Sequence, residues 1–315
     1  MREDLGRRDF SINAMALALN TSHFGELLDY YGGQRDIERK HIRVLHSLSF
    51  IEDPTRIFRA VRFEQRYGFR MEPETERLAR KAIEMELVGE LTNARIRDEL
   101  ILILSEKEPW RPLQRLYELT ALRPLHPRIH VDAELRALLI RIAKAIPQVD
   151  YYFHSKTKQW LVYLMALLSP LAKEELERWA VQMKFRKNDA RILVQGVCET
   201  PRVLKILSSG AKTKNSKVYE LLKPLSQESL VYVFARSSQR SVRQRINFYL
   251  ANLKNVRLLV SGRDLNRMGF EPSPLYQVAL ELLLKAKLDG LVRSREEELN
   301  FISEKLRKLE KGVAV

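Results

Sequence analysis

Helix-breaking residues are scarce in this chain, and their scarcity limits its fold more than any other feature. Glycine and proline occur 12 times each in 315 residues, fewer than is usual for a globular chain. Apolar residues recur with the helical period in several long segments. The clearest predicted helices lie at residues 74–85, 95–104, 134–146, 158–168 and 294–309. We therefore predict a mainly α-helical protein.

The first fifty residues differ from the rest. Residues 25–31 and 41–45 have strand-like composition and flank Gly32 and Gly33. We predict that residues 1–50 hold the remnant of a small mixed α/β sheet, and that no other part of the chain contains sheet. The helical remainder is predicted to divide into a neck at 51–125, a body at 126–255 and a tail at 256–315.

The chain has a strong excess of positive charge. Lysine and arginine total 55, aspartate and glutamate total 40, and the net charge is +15. Such an excess favours a polyanionic partner, most simply a nucleic acid. A membrane surface would attract the same charge, but the longest strongly apolar run, residues 160–168, is far below the ~20 residues of a membrane-spanning helix. With Cys198 as its one cysteine, the chain forms no intramolecular disulfide. We predict a cytoplasmic protein that handles nucleic acid and has no membrane span.

A row of arginines follows a strong helix start. Asp53 and Pro54 are typical of an N-cap and a first helical position. Arg56, Arg59 and Arg62 recur every three residues and share one helical face, where they repel one another unless an anion lies opposite. One interpretation is a solvated basic face. The other is a helix that reads phosphate and base, in which Asp53 accepts from an exocyclic amino group and Arg56 donates beside it.

A second polar cluster lies near the start of the chain. Arg8 and Asp9 precede an apolar run, and Asn13 follows Asp9 by four residues. The cluster is either an ordinary helix N-terminus, with Asp9 near the positive end of the dipole, or a polar triplet that holds a ribose hydroxyl and a phosphate.

Four motifs together carry a family resemblance. The segment Arg7-Arg-Asp-Phe-Ser-Ile-Asn-Ala-Met-Ala16 resembles the ribose-recognition motif of the class II tRNA nucleotidyltransferases and bacterial poly(A) polymerases. The stretches at 28–44 and 94–100 are similar to two further family motifs, and Glu52-Asp-Pro-Thr-Arg-Ile-Phe-Arg-Ala-Val-Arg-Phe63 resembles the helix that templates the nucleobase. Residues 260–269 and 288–299 resemble the tail of bacterial members.

The resemblance implies a role for each matched residue. Arg8 and Asp9 would contact the incoming nucleotide, with Asp9 and Asn13 near the ribose. Asp53 and Arg56 would pair with the Watson–Crick edge of CTP or ATP, so that the protein itself acts as template. Arg59 and Arg62 would continue that face toward the triphosphate or the primer. The implied reaction is attack by the tRNA 3′-hydroxyl on the α-phosphate of a nucleoside triphosphate, with release of pyrophosphate.

One part of the family pattern has no counterpart. The reaction calls for Mg²⁺ held by an Asp-x-Asp pair upstream of the Arg-Arg-Asp motif, and the chain contains no Asp-x-Asp. Three explanations are open: a truncated or mis-started reading frame, a split enzyme whose second polypeptide supplies the carboxylates, or a relative that has lost catalysis and kept RNA binding. We expect a fragment of an active member, because the nucleotide-reading residues are present.

Further basic residues are candidates for contacts with tRNA phosphates. These are Lys212, Lys214 and Lys217 and the set Arg236, Arg240 and Arg243, although each group also fits a solvated face. The six histidines predict no metal site. The sequence does not separate CCA addition, addition of the terminal A alone and poly(A) addition, and a non-catalytic RNA-binding subunit on the same scaffold is the alternative.

Overall fold

The computed structural model describes residues 1–90, 93–209, 213–271 and 273–310. The chain divides into two compact units, Met1–Ala143 with Lys158–Cys198 and Lys144–Thr157 with Glu199–Val315. Helices dominate both units, and the prediction of a mainly α-helical protein is confirmed. The division into a sheet remnant at 1–50 and a helical neck, body and tail at the predicted boundaries stays a prediction.

Two small sheets lie in the first unit. Strands β1 (Ala16–Leu17) and β2 (Leu27–Leu28) are antiparallel, whereas β3 (His41–Ile42) pairs in parallel with β4 (Arg70–Met71). The prediction that sheet is confined to residues 1–50 is therefore wrong. Since β4 has two residues and pairs with a strand almost thirty positions away, no local pattern marks it.

The Gly32–Gly33 turn fixes the segment that carries Asp9 and Asn13. Gly32 has a φ of 74°, which favours glycine, and a Cβ on Gly33 would lie 2.4 Å from the Ser11 carbonyl oxygen. The carboxylate of Asp29 accepts from the amides of Gly33 and Gln34 at 2.7 and 3.0 Å. Burial raises the pKa of Asp29, but these backbone hydrogen bonds lower it overall. The turn thus packs directly on the backbone beside the N-terminal polar cluster.

Helix α4 packs against α3, α7 and α8 in the first unit. Residues Ile57, Phe58, Ala60 and Val61 of α4 are fully buried, and α7 packs against both α4 and α10. The helices are α1 (Arg2–Gly6), α2 (Gly33–Glu38), α3 (Ser49–Glu52), α4 (Thr55–Tyr67), α5 (Pro73–Glu84), α6 (Leu87–Glu90), α7 (Asn93–Leu104), α8 (Trp110–Glu118), most of α9 (Ala133–Asp150), α10 (Gln159–Leu167), α11 (Lys173–Gln182) and the first half of α12 (Lys187–Ser208).

The predicted helices are confirmed, with one shifted boundary. Segments 74–85, 95–104, 134–146, 158–168 and 294–309 correspond to α5, α7, α9, α10 and α18 (Arg295–Glu310). Helix α4 begins at Thr55 with Pro54 at its N-cap, so the predicted N-cap Asp53 lies one residue earlier. Its carboxylate still accepts from the Thr55 amide at 3.1 Å. In the described part of the chain, no helix is long and apolar enough to span a membrane.

The second unit contains its own apolar core near the C-terminus. Leu265, Leu283 and Ile302 are fully buried there, and the buried Glu298 accepts from the amides of Leu259 and Val260. The elements of this unit after α12 are α13 (Asn215–Leu222), α14 (Gln227–Arg236), α15 (Arg240–Phe248), a π-helix (Tyr249–Leu253), α16 (Gly262–Arg267), α17 (Leu275–Leu288) and α18.

Candidate functional site

A polar cleft of about 630 Å³ lies in the first unit, where the N-terminal segment meets α4 and α7. Of the seven residues predicted to bind a nucleotide, all but Arg62 line this cleft. The lining residues are Arg8, Asp9, Asn13, Asp53, Thr55, Arg56, Arg59, Arg95, Asp98 and Glu99. The structure therefore brings together two sequence clusters that are separated by about forty positions in the chain.

Asp9 is the centre of the N-terminal cluster. Residues Ser11–Asn13 form a 3₁₀ turn, and this turn brings the Asn13 Nδ2 to 3.0 Å from Asp9 Oδ1. Arg59 of α4 donates to Asp9 Oδ2 through Nε at 2.9 Å and through Nη2 at 2.5 Å. The Phe10 amide also donates to Asp9 Oδ1 at 2.8 Å, so donors within the protein hold both oxygens of this buried carboxylate.

The arginine row of α4 faces carboxylates of the protein itself. Arg59 also donates to Glu99 Oε1 at 3.2 Å, and Arg62 donates to Glu99 Oε2 at 3.3 Å. Burial lowers the pKa of Arg59, but pairing with Asp9 and Glu99 raises it overall. Arg62 is 5 % exposed, and its Nε has no partner among the described residues. Arg59 and Arg62 therefore do not lie on a solvated face, and the nucleotide-binding role predicted for Arg62 stays a prediction.

Asp53 and Arg56 lie at the start of α4 and do not bond each other. Asp53 Oδ1 accepts from Thr55 Oγ1 at 2.6 Å, and Asp53 Oδ2 accepts from Arg95 Nη2 at 2.7 Å. Arg56 donates to Ser49 Oγ at 2.6 Å and to the Arg7 carbonyl at 3.1 Å. Burial raises the pKa of Asp53, but the hydrogen bonds from Thr55 and Arg95 lower it overall, so the group is a carboxylate at neutral pH.

Helix α7 forms one wall of the cleft, although the sequence predicted no nucleotide-binding residue on this helix. Arg95 and Glu99 lie one turn apart on α7 and contact Asp53 and Arg59, respectively. The four-residue spacing places both on one face, and this is the signal the sequence contained. It did not identify their partners, because the partners lie 40 or more positions away.

Arg8 differs from the other arginines of the cleft. Arg59 and Arg95 pair with carboxylates, and Arg56 donates to a hydroxyl and a carbonyl. Across the described ranges, no hydrogen bond or ion pair holds the exposed Arg8 side chain. The lining contains four arginines and four carboxylates, so the cleft has no general excess of positive charge and Arg8 is the cation best placed for an added anion.

The cleft does not fit a magnesium ion. No group of three or more Asp, Glu, His or Cys side chains suited to a metal occurs in the described part of the chain. The carboxylates of Asp9 and Asp53 accept from Arg59 and Arg95 instead of pointing at a shared point. We therefore assign no step to a metal at this site.

The predicted RNA-binding lysines fall in the second unit or outside the described residues. Lys212 lies outside them. Lys214 is exposed at the start of α13, and the exposed Lys217 pairs with Glu220 at 3.3 Å. Lys214 is therefore the freer of the two described lysines.

The predicted RNA-binding arginines differ in their availability. Arg236 ends α14 and Arg240 begins α15, and both are exposed. Arg243 is half-buried and donates to the Ser237 carbonyl at 2.9 Å. Arg236 and Arg240 thus form the accessible part of this set.

These features define a polar cleft lined by arginines and carboxylates, and comparison with known proteins gives the family of the chain. A model of the poly(A) polymerase head domain matches residues 1–43, and a model described as the probable RNA and SrmB-binding site of polymerase A matches residues 68–132. The A-adding tRNA nucleotidyltransferase of Geobacter sulfurreducens is 36% identical over 306 residues, 96% of this chain and 35% of the relative. That of Halalkalibacterium halodurans is 30% identical over 312 residues, 96% of this chain and 68% of the relative.

Solved structures agree with the sequence matches. A CCA-adding enzyme in complex with ATP superimposes with a TM-score of 0.81 at 35% identity, covering 98% of this chain and 72% of that chain. The Thermotoga maritima CCA-adding enzyme complexed with tRNA gives 0.79 at 33% identity, covering 98% and 74%. The chain belongs to the family of tRNA nucleotidyltransferases and bacterial poly(A) polymerases, as the motifs predicted. It spans about a third of the length of the Geobacter relative.

Proposed function

We propose that this chain selects the nucleotide and binds the tRNA in an enzyme that adds the terminal adenosine to tRNA 3′ ends. The observation that carries the proposal is that Asp53 and Arg56 open on one cleft together with Arg8, Asp9 and Asn13. A base, a ribose and a phosphate each have a matching group there.

The pair Asp53 and Arg56 is complementary to two of the four bases. Adenine and cytosine each present an amino donor beside a ring-nitrogen acceptor, so the Asp53 carboxylate accepts from the amino group and the Arg56 guanidinium donates to the ring nitrogen. Guanine and uracil present a carbonyl acceptor beside a ring N–H, which reverses the order of donor and acceptor. Arg95 and Thr55 hold the Asp53 carboxylate in place for this contact.

The N-terminal cluster would position the sugar and the phosphates. Arg59 fixes Asp9 with a two-point contact, and Asn13 lies against the same carboxylate. Four donors already occupy the two oxygens of Asp9, so Asp9 orients Asn13, and the polar side-chain atoms of Asn13 that remain available suit ribose hydroxyls. The unpaired Arg8 suits the triphosphate, because guanidinium groups bind phosphate oxygens with two parallel donors.

ATP is the first choice of substrate, and CTP is the second. Relatives 36%, 32% and 30% identical over 306, 266 and 312 residues are A-adding tRNA nucleotidyltransferases. A CCA-adding enzyme is 28% identical over 313 residues, and multifunctional CCA proteins are 40% identical over the shorter stretches of 129 and 133 residues. A complex of a structural neighbour with CTP supports the alternative of CCA addition. Poly(A) addition is a further alternative, because it uses the same chemistry on the 3′ end of an RNA other than tRNA.

The Mg²⁺ carboxylates of the family reaction would come from polypeptide beyond these 315 residues. We place them either in a preceding segment or in a second polypeptide, since the described residues offer no such group. We place the protein in the cytoplasm, where tRNA maturation supplies its substrate.

A single set of reactions tests the proposal. The chain is incubated with Mg²⁺, a tRNA that lacks its terminal A, and each nucleoside triphosphate in turn, while bound nucleotide is measured by equilibrium dialysis. We expect the chain to bind ATP whether or not a polypeptide that carries the Mg²⁺-binding carboxylates is added. Incorporation of A is expected only after that polypeptide has been added. Absence of both binding and incorporation in the completed mixture would overturn the proposal.

A non-catalytic RNA-binding subunit is the second candidate. It is favoured by the absence of a metal-binding group from the part of the chain that the structure describes. It predicts tRNA binding without nucleotide binding, so the dialysis measurement separates the two.

A further inference from the structure

The loop after α9 presents an exposed aromatic ring in the second unit. Among the described residues, Tyr151 has the highest exposure of any large apolar or aromatic side chain, at 82 %. Its ring meets that of Tyr152 edge-on, with centroids 5.1 Å apart and an interplanar angle of 90°. One face of the Tyr151 ring is therefore open to a planar ligand.

Hydrogen bonds connect the two ends of this loop and tie it to α14. Asp150 Oδ1 accepts from Thr157 Oγ1 at 2.5 Å and from Gln227 Nε2 at 2.7 Å, closing the two ends of the loop. Gln227 also bonds Ser155 through both its amide atoms. A ring on a braced loop loses little conformational entropy when a ligand binds.

Lys254 braces the loop from the other side. Its ammonium group donates to the Tyr152 carbonyl at 2.9 Å and lies 3.2 Å from the centroid of the Phe153 ring. Burial lowers the pKa of Lys254. Lys254 thus contacts the two residues after Tyr151, whereas Tyr151 meets Tyr152 edge-on and keeps most of its surface exposed.

Exposed basic side chains on the same loop and at the end of α14 favour a polyanion. His154 and Lys156 are exposed on the same loop. Gln227, which touches the loop, begins α14, and the exposed Arg236 ends it. The backbones of these two residues therefore lie about 14 Å apart along the helix axis. One RNA molecule can span that distance.

We propose that Tyr151 stacks on an exposed nucleobase of bound RNA, while Lys156 contacts the adjoining phosphates. An aromatic ring beside basic residues is the usual arrangement for binding unpaired bases, because every base offers a face for stacking. The proposal rests on the proposed function, since it takes the polyanion to be tRNA. It adds a contact in the second unit, remote in sequence from the nucleotide cleft.

The test measures the affinity of the chain for a tRNA transcript lacking its terminal A, with four variants. Tyr151→Ala should raise the Kd by about fivefold or more, whereas Tyr151→Phe, which keeps the ring, should stay within about twofold. Val181→Ala is the control: it shortens an aliphatic side chain that is 78 % exposed, and it should leave the Kd for tRNA unchanged. Lys156→Ala should reduce the slope of log Kd against log salt by about one, while Tyr151→Ala leaves that slope unchanged.

The outcomes separate this proposal from the proposed function. If the unmodified chain binds tRNA and Tyr151→Ala binds it equally well, the proposed stacking contact is overturned. A protein would then be the alternative partner for the exposed ring. Equal losses for Tyr151→Ala and Tyr151→Phe would also overturn it, because the hydroxyl and not the ring would then matter. If the unmodified chain binds no tRNA at any salt concentration, both proposals fail together. Ultraviolet crosslinking of bound RNA to the peptide that contains Tyr151 is the direct positive result.

Discussion

Arg8 is the residue whose contribution to nucleotide binding is easiest to isolate. It lines the cleft without a hydrogen bond or ion pair to the described residues, so its removal disturbs no internal contact. We expect Arg8→Ala to weaken ATP binding by about tenfold, the loss of one charge-assisted hydrogen bond. Adenosine, which has no phosphate, should bind both proteins equally. Isothermal titration with both ligands checks this, and an equal loss for adenosine would contradict the phosphate role of Arg8.

Glu99 has a structural role that the sequence did not reveal. It is 8 % exposed and is the one carboxylate paired with the buried Arg62 among the described residues. Glu99→Ala should lower the free energy of unfolding by about 3 kcal/mol, because it leaves a buried guanidinium without a counter-charge. Urea titration measures this.

An exposed ion pair provides the control for Glu99. Glu74 pairs with Arg77 on the surface of α5, and Glu74→Ala should leave the unfolding midpoint unchanged. If Glu99→Ala and Glu74→Ala gave equal midpoints, the buried network would not contribute to stability.

At the residue scale, the sequence predicted which residues line the cleft, but it did not predict which of them bond to one another. Residue type and motif order located Arg8, Asp9, Asn13, Asp53 and Arg56. The pairing of Asp53 with Arg95 and of Arg59 with Asp9 depends on how the chain folds back across 40 to 50 positions. Periodicity describes one segment at a time, and it contains no information on such pairings.

At the scale of elements, Asp289 links α17 to α13. The carboxylate accepts from the Ser216 amide and from Ser216 Oγ, both at 2.8 Å, although it follows α17 in the chain. Helix α13 has Lys214 at its N-cap and no side-chain cap of its own. Asp289, at the C-terminal end of α17, therefore accepts a hydrogen bond from a free backbone amide in the first turn of α13.

Removing this link should destabilise the second unit. We expect Asp289→Ala to cost about 1–2 kcal/mol, the usual value for a lost helix cap, and Asp289→Asn, which keeps an acceptor oxygen, to cost less. Chemical denaturation followed by circular dichroism compares the variants. A stability for Asp289→Ala equal to that of the unmodified chain would show that the link carries no free energy.

The elements also show where prediction from sequence ends. Long amphipathic segments predicted five helices correctly, since the helical period is repeated several times in each. Strand β4 has two residues and exists because the amide of Arg70 reaches the Lys40 carbonyl at 2.9 Å. That contact depends on the packing of α4, which returns the chain to β3.

At the scale of the whole molecule, the net charge of +15 predicts how RNA binding depends on salt. Each phosphate contact releases condensed counterions, so the affinity falls steeply as salt is added. Between 50 and 200 mM salt we expect a loss of about 100-fold or more in tRNA affinity. Filter binding at several salt concentrations measures the slope. An affinity insensitive to salt would contradict the interpretation of the charge.

The central claim is that the protein reads the Watson–Crick edge of a nucleotide with Asp53 and Arg56. Competition of ATP, CTP, GTP and UTP against a fluorescent ATP analogue on this chain tests it most directly. Adenine and cytosine match the order of donor and acceptor that the pair offers, so ATP, with CTP next, should compete at least about tenfold better than GTP or UTP. In Asp53→Asn the preference should shrink, because the amide can donate as well as accept. Equal competition by all four nucleotides in the unmodified chain would contradict the account.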